Sequence, residues 1–480
     1  PDEGDDGEGF EGSDRVVGSP RLFERLEEDP ENQVDVRAMI RARLLDVYVG
    51  DWDRHPDQWR WAGFEEEGVT FFSPVPRDRD WAFSRIDGVV GLAAGAASPH
   101  YVGFKTDFPN AFRATWAGRA LDRRLLVGAT REDWRAVATE LQDRFTDRVI
   151  EDAVGRLPAS YLEIAGPWLE TGLKRRRDRL VRMADDIYLL LAGWVDVHAT
   201  DEEDLAIATW LPGDSVRLEV YELRRNEPRD EPYYERRFSA AETREVRVYL
   251  HGDDDRVEVR GQGPGSVRLR FVGGGGDDTF NNLTEGAGGR VHFYDRRGDN
   301  VFDVGPGATV DEIRFEEPFD PSTTTHQAPF RDWGRDWLPI GLLSFDADVG
   351  LFLGVGAQRI GYGFRHYPYH TRLALSGGVG SKAGRFRTNL QYEFPLGRRG
   401  VRAEAHVFVS GAEGARFYGL GNETPADRDR DFFRADRREI LLEVPVAVRV
   451  GGAFTAWGTP IFQHYRPFEE GETLVSELQP

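Results

Sequence analysis

From Arg385 onward the chain alternates apolar and polar residues over runs of about ten, a pattern that few folds satisfy. Between Arg385 and Phe394, Phe386, Leu390, Tyr392 and Phe394 alternate with Arg385, Arg387, Asn389, Gln391 and Glu393. After a Gly/Pro/Arg turn, Val401 to Ser410 repeats it, with Val401, Ala403, Ala405, Val407 and Val409 set against Arg402, Glu404 and His406. A third run places Ile440, Leu442, Val444, Val446, Val448 and Val450 on one face. Successive strand residues point to opposite faces, so each run has one apolar and one polar side. A soluble β-sandwich alternates too. A transmembrane barrel demands the pattern, because one face meets lipid and the other a wet lumen. Such strands cannot stop open in a membrane, where each unpaired backbone group costs several kcal/mol. Roughly six or seven strands fit before Pro480 and single-chain bacterial barrels have at least about eight, so the barrel is expected to be incomplete here.

The rest of the chain narrows the alternatives. No window of about 18 apolar residues occurs, which excludes a transmembrane helix. With 480 residues, about two to four folding units are expected, and 40% hydrophobic with 12% aromatic residues is enough for real cores. The net charge of -22 repels polyanions and argues against nucleic acid as a partner. There is no Cys, so neither a disulfide framework nor a thiolate metal site is possible, and the redox compartment stays open.

The expected class is multidomain α+β. Residues 1–20 form an acidic, Gly-rich linker, residues 21–204 a helical domain, residues 205–325 a β-rich domain of β-roll or sandwich type, and residues 331–480 the opening part of an antiparallel transmembrane β-barrel. In the helical domain Val36, Met39, Ile40, Leu44, Val47 and Tyr48 share one face. Thr130 with Asp133 makes a capping box that opens a helix with the stripe Trp134, Val137, Leu141, Phe145 and Val149. A further helix is predicted from Leu169 to Trp194. Strands are predicted over 216–221, 245–250, 257–259, 267–272 and 291–294, and a Pro/Thr-rich linker from Pro318 to Pro329.

Two segments carry chemistry. Asp51-Trp-Asp-Arg-His-Pro-Asp-Gln58 follows the first amphipathic helix; a hairpin bearing Trp59 and Trp61 comes next and ends in Pro76-Arg-Asp-Arg-Asp-Trp-Ala-Phe83. Phosphoryl transfer needs a carboxylate at the attacking hydroxyl, plus oxygen ligands for Mg²⁺ five residues on and one hairpin later. Asp53 is the candidate base, Gln58 and Asp78 or Asp80 the candidate Mg²⁺ ligands, and Arg54 and His55 orient the loop; Arg54 and Arg79 are expected to restrain the clustered carboxylates. The bland alternative is that Asp53, Arg54 and His55 lock a helix-to-hairpin turn. The second segment, Gly273-Gly-Gly-Gly-Asp-Asp-Thr-Phe280, fits one calcium-binding β-roll repeat, with Asp278 the best Ca²⁺ ligand and a Gly/Asp-rich turn the alternative. Lys174 to Arg177 form a basic run, expected to be solvated, and His198, His292 and His326 show no metal-ligand spacing.

Phe330-Arg-Asp-Trp-Gly-Arg-Asp-Trp337, the glycine-rich run to Gly363-Phe-Arg365 and Arg416-Phe-Tyr-Gly-Leu-Gly-Asn-Glu-Thr424 resemble the bacterial surface-antigen barrels of the BamA/TamA type. The resemblance implies an outer-membrane protein in envelope assembly or translocation, in contact with outer-membrane lipid and envelope components, its N-terminal domains periplasmic or surface-exposed. It also implies a signal peptide upstream, so the chain is expected to be cut at its front. Asp53-Arg-His55 and Pro76-Arg-Asp-Arg-Asp-x-x-Phe83 resemble the catalytic half of HipA- and CotH-type kinases, which implies a kinase-C-lobe-like fold using ATP and Mg²⁺. Gln58 stands where that family has Asn, and no Gly-rich phosphate loop or strand Lys precedes the helix. Proteins of this arrangement often carry an upstream calcineurin-like metallophosphoesterase, whose motifs are not present here. The competing functions are an assembly barrel with accessory domains, a barrel-anchored Mg²⁺-dependent phosphotransferase and a calcium-stabilised surface adhesin.

Overall fold

The computed structural model describes residues 12–313 except 90, 92–94, 96–100, 262, 264 and 287, residue 315, and residues 331–477 except 347, 348, 383, 384, 397–400, 420–427, 451–453, 469–472, 475 and 476. The chain is α+β and divides into two compact units, Pro1–Pro329 and Phe330–Pro480. The acidic run before residue 12, the Pro/Thr-rich linker with His326 and residues 420–424 of the barrel motif lie outside the described residues.

The first unit opens with β1 (Arg15–Gly18), α1 (Ser19–Glu28), β2 (Asn32–Val34), α2 (Val36–Val49) and the hairpin β3 (Trp59–Glu66) and β4 (Val69–Pro76), in the sheet order β1-β3-β4-β2. α2 starts where the Asp35 side chain accepts from the Ala38 N–H and stops at Gly50, whose φ of 75° is readily reached only without a Cβ. Its buried apolar face is Met39, Ile40, Leu44, Val47 and Tyr48, the stripe expected from the sequence except for Val36, which is half-buried. Trp59 and Trp61 alternate onto one side of β3, are fully buried, and sit in the same core with ring centroids 5.9 Å apart.

The helices that follow among the described residues are α3 (Ala111–Ala114), α4 (Arg119–Leu125), α5 (Arg131–Arg144), α6 (Asp147–Gly155), α7 (Ala159–Asp178) and α8 (Leu180–Ala192). The Thr130/Asp133 capping box is formed at the start of α5. Two helical expectations need correction. The stripe from Trp134 does not run on to Val149: Phe145 leaves the helix at ψ 56°, Thr146 caps a new helix by accepting from the Val149 N–H, and Val149 is 48% exposed. A threonine hydroxyl here offers the backbone an alternative to continuing the helix. The helix predicted from Leu169 to Trp194 is two helices, broken at Arg179 (φ -112°, ψ 3°), and Trp194 already begins a strand.

That strand, β5 (Trp194–His198), opens the β-rich region 11 residues before the predicted boundary at 205. It is followed by β6 (Asp204–Leu211), β7 (Ser215–Arg224), β8 (Glu227–Pro228), β9 (Tyr234–Ser239), β10 (Glu245–His251), β11 (Arg256–Gly261), β12 (Arg268–Gly274), β13 (Thr279–Asn282), β14 (Val291–Tyr294), β15 (Val301–Asp303) and β16 (Thr309–Asp311). One sheet has the order β16-β14-β12-β10-β5, parallel throughout; the other runs β15-β13-β11-β6 in parallel and continues antiparallel into β7, β8 and β9. Apart from β7 to β9, which stay in the second sheet, the chain steps from one sheet to the other at each turn, so this is a two-sided parallel solenoid of β-roll type and not a sandwich. Phe271, Phe280 and Phe293 fill its interior, with Phe280 stacked on Phe302 at 5.0 Å. The helices and the solenoid share one unit, joined by pairs such as Arg123–Asp196 and Tyr188 OH to Glu242 (2.8 Å).

The second unit is an antiparallel sheet of β17 (Arg335–Asp346), β18 (Gly350–Gly363), β19 (His366–Gly380), β20 (Phe386–Pro395), β21 (Arg402–Arg416), β22 (Arg434–Glu443), β23 (Val446–Val450), β24 (Phe454–Gly458) and β25 (Ile461–Phe468). Its order is β17-β18-β19-β20-β21-β22-β25, with β23 pairing β21 and β24. Leu375, Leu390, Val407 and Leu442 are direct cross-strand partners in one row. The next row, on the opposite face, holds Gln391, His406 and Glu443, with His406 Nδ1 2.9 Å from Glu443 Oε2. The apolar run from Ile440 is interrupted at Val444–Pro445 but keeps one register against β21, so Ile440, Leu442 and Val446 share one face as expected. Pro445 has no N–H for a ladder, but its carbonyl accepts from the Glu404 N–H (2.9 Å), and β23 continues the pairing along β21 at Ala403 and Arg402.

Candidate functional site

The last turns of α2 carry two charged residues into the core. The Asp46 carboxylate is fully buried and accepts from three guanidinium groups: Arg43 Nη1 (3.1 Å), Arg54 Nε (3.1 Å) and Arg79 Nε (3.0 Å). Arg43 turns its other edge to buried Asp122 in α4, Nε at 2.6 Å and Nη2 at 2.9 Å. Buried charges persist only when paired and hydrogen-bonded, and this network meets that condition.

Arg54 is its pivot. Its Nη1 donates to Asp51 Oδ2 (3.3 Å), to the Arg77 carbonyl (2.7 Å) and to the Asp78 carbonyl (2.8 Å), and its Nη2 to the Gln58 carbonyl (3.2 Å). The guanidinium also lies 4.6 Å over the Trp59 ring. One planar fork therefore ties the loop 51–58 to the end of the β3–β4 hairpin, and the Arg77 N–H adds a 2.8 Å bond to the Gln58 carbonyl. Burial pushes the Asp51 carboxyl up to about 6 against the pull of Arg54, with Asp46 adding to the rise.

Asp53, His55 and Gln58 stand side by side on the rim of this loop. All three are half-buried; Asp53 Oδ2 is 3.9 Å from His55 Nε2, which is 3.3 Å from Gln58 Nε2. Asp78 adopts φ 45° with its carbonyl turned to Arg54, and its side chain and that of Asp80 are exposed. The hairpin thus returns its main chain beside the loop, as the topology requires. Among the described residues Asp53, Asp78 and Asp80 do not make a group of three ligand oxygens within 4.8 Å of one another. Arg54 and Arg79 do not restrain those carboxylates either: they are spent on Asp46 and Asp51, which are buried and need them more.

No family model, curated protein or solved structure matches this chain.

Asp278 lies in a ladder of solenoid turns. Asp255 Oδ1 accepts from the Asp204 N–H (2.8 Å), Asp278 Oδ1 from the Asp255 N–H (2.9 Å) and Asn300 Oδ1 from the Asp278 N–H (2.8 Å). Each turn residue thereby caps the coil before it. The second oxygens of Asp278 and Asp295 come together over Gly273, where a Cβ would stand 2.2 Å from one and 1.9 Å from the other. Burial and this neighbour push Asp278 up to about 8; burial pushes Asp255 up to about 10. The residue expected to hold Ca²⁺ therefore already has one oxygen committed to the fold.

The basic run is structural. Lys174 pairs with Glu151 (2.6 Å) and Glu170 (2.8 Å) and Arg175 with Asp107 (3.0 Å), while buried Arg176 donates to the carbonyls of Lys105, Val47 and Tyr48. Arg176 thus closes the C-terminal end of α2 beneath the Asp53 loop.

Proposed function

We propose that residues 331–480 are strands of an outer-membrane barrel of the surface-antigen, assembly or translocation type, and that the helices and solenoid before them are accessory domains on the envelope side. One observation carries the reading. The apolar row through Leu375, Leu390, Val407 and Leu442 belongs to a face where Leu343, Phe345, Leu353, Val355 and Val379 are exposed, while the opposite face binds charge to charge. An apolar face of that extent calls for a lipid-like solvent. The test places Arg at Leu390 and, separately, at Asn389 in the full chain, and measures stability and partition into lipid vesicles. Leu390→Arg is expected to cost about 2–4 kcal/mol near the bilayer midplane and Asn389→Arg little. Equal effects at the two positions would leave a soluble sheet.

A second reading, a Mg²⁺-dependent phosphotransferase, is favoured by the fork of Arg54, which brings the Asp53 loop and the Asp78 main chain together. In it Asp53 would take the proton of an acceptor hydroxyl, and Gln58 with Asp78 or Asp80 would have to draw together to hold the ion. Transfer of labelled phosphate from ATP should then depend on Mg²⁺ and fall in Asp53→Ala and Asp80→Ala. Equal transfer by all three proteins, or none by the wild type, leaves the loop a structural lock.

A further inference from the structure

Where α1 meets the solenoid, three side chains of metal-binding chemistry converge. His198 closes β5 and His251 closes β10, two parallel neighbours that pair Tyr249 with His198; Glu27 comes from the last turn of α1. His198 Nδ1 and His251 Nε2 are 3.0 Å apart, and His251 Nε2 is 3.9 Å from Glu27 Oε1. The three ligand atoms lie within 4.8 Å of one another, and all three residues are half-buried, so an ion can enter from solvent.

Each residue is held by the scaffold. The Asp201 N–H donates to the Glu27 carbonyl (2.6 Å), fixing the end of α1 against the solenoid. His251 has φ 71° and its carbonyl accepts from the Gly275 N–H (2.9 Å) of the next coil. The His198 ring stacks on Tyr249 at 4.6 Å.

We propose that Glu27, His198 and His251 bind one exchangeable zinc-class divalent ion, with water at the fourth corner. Imidazole nitrogen and carboxylate oxygen at about 2.0–2.2 Å from a tetrahedral Zn²⁺ stand about 3.3 Å apart. That value falls between the two observed separations, so small side-chain rotations close the site. Two imidazoles and one carboxylate match the preference of Zn²⁺, whereas Ca²⁺ and Mg²⁺ take six or more ligands, chiefly oxygen. Arg124 is the built-in competitor: its Nη2 bonds the same Glu27 Oε1, so the ion must displace a guanidinium and exchanges as a result. Bound, it ties α1 to two coils of the solenoid at one point.

The test titrates Zn²⁺ into the chelator-treated full chain, with Co²⁺ as a spectroscopic stand-in and circular dichroism to confirm that each variant folds. The wild type should take up one equivalent and give the visible spectrum of tetrahedral Co²⁺. His198→Gln and His251→Gln should each weaken binding at least about tenfold. His292→Gln, on β14 of the same sheet, should not. Arg124→Gln should bind more tightly than the wild type. No retained Zn²⁺, an octahedral Co²⁺ spectrum, unchanged affinity in either ligand variant, or unchanged or weaker affinity in a folded Arg124→Gln protein overturns the assignment.

Discussion

Arg54 donates to the main-chain carbonyl of Asp78, 24 residues later, across 2.8 Å. The same buried guanidinium pairs with Asp46 and Asp51, so its loss strips two carboxylates and three carbonyls of a partner at once. Arg54→Met should cost about 3–5 kcal/mol in urea unfolding, the range for breaking a buried ion pair from one side. A loss below about 1 kcal/mol, the level of a surface pair, would show that the fork is not the pivot of the loop.

Ser19 relays between the tryptophan hairpin and the same loop. Its hydroxyl accepts from Trp61 Nε1 (3.0 Å) and donates to the Pro56 carbonyl (2.8 Å) while fully buried. Ser19→Ala leaves a donor and an acceptor unmatched and should lower stability by about 1–3 kcal/mol. Ser19→Thr, which keeps the hydroxyl, should recover part of that in the same denaturation assay.

The acidic turns make the first unit sensitive to rising pH. Asp278 and Asp255 are raised to about 8 and about 10 in the fold. Well below pH about 4, the ordinary carboxyl value, folded and unfolded chains hold these protons alike and the stability is fully present. Above it the unfolded chain releases them first, so stability falls as pH climbs through 8 towards 10. Glu245 acts in the other direction. Burial alone raises it, but Arg247 and Arg270 hold it at about 2, so its contribution is lost as pH falls below its ordinary value. Thermal unfolding from pH 5 to 9 should therefore show a declining melting temperature, flattened in Asp255→Asn and Asp278→Asn. An increase over that range in the wild type contradicts the assignment.

Adjacent glycines in the run 273–276 answer to different demands. Gly276 has φ 110°, and a Cβ there would stand 2.0 Å from the Asp253 carbonyl of the previous coil; at Gly275 a Cβ meets open space. Gly276→Ala should cost at least about 1–3 kcal/mol from backbone strain alone. Gly275→Ala should stay within about 0.5 kcal/mol. Similar losses at both positions would mean that close coil packing does not govern the run.

Periodicity made the helices around Met39 and Trp134, the buried Trp59/Trp61 face and the alternating strands after Arg385 legible, because each rests on local spacing. Helix ends were harder: Thr146 and Arg179 interrupt stripes that continue in the sequence, and only the cap geometry shows the break. At the loop, Arg54 could be read as an orienter from its place beside Asp53. Asp46 and Arg43 could not, although two opposite charges three apart within an apolar helical stripe are a usable signal; Asp122 is brought in by tertiary packing. His198 gave no metal-ligand spacing because its partner His251 is 53 residues away, across the whole β7–β9 excursion, and Glu27 belongs to another element. A parallel sheet joins residues by coil, a relation that a short motif does not encode.

In the Asp204–Asp255–Asp278–Asn300 ladder, each rung asks its neighbour for only one N–H and returns one side-chain oxygen. The last two rungs are 23 and 22 residues apart, and the first is 51, yet the bond is the same. Length between rungs is therefore free while the rung is not. Such a stack can grow by duplicating a coil or admit a whole hairpin between two coils, as it has between β6 and β10, without disturbing its neighbours. The three-strand excursion sits in the molecule as a graft, and the reach of the solenoid is a quantity that gene duplication could lengthen by whole coils.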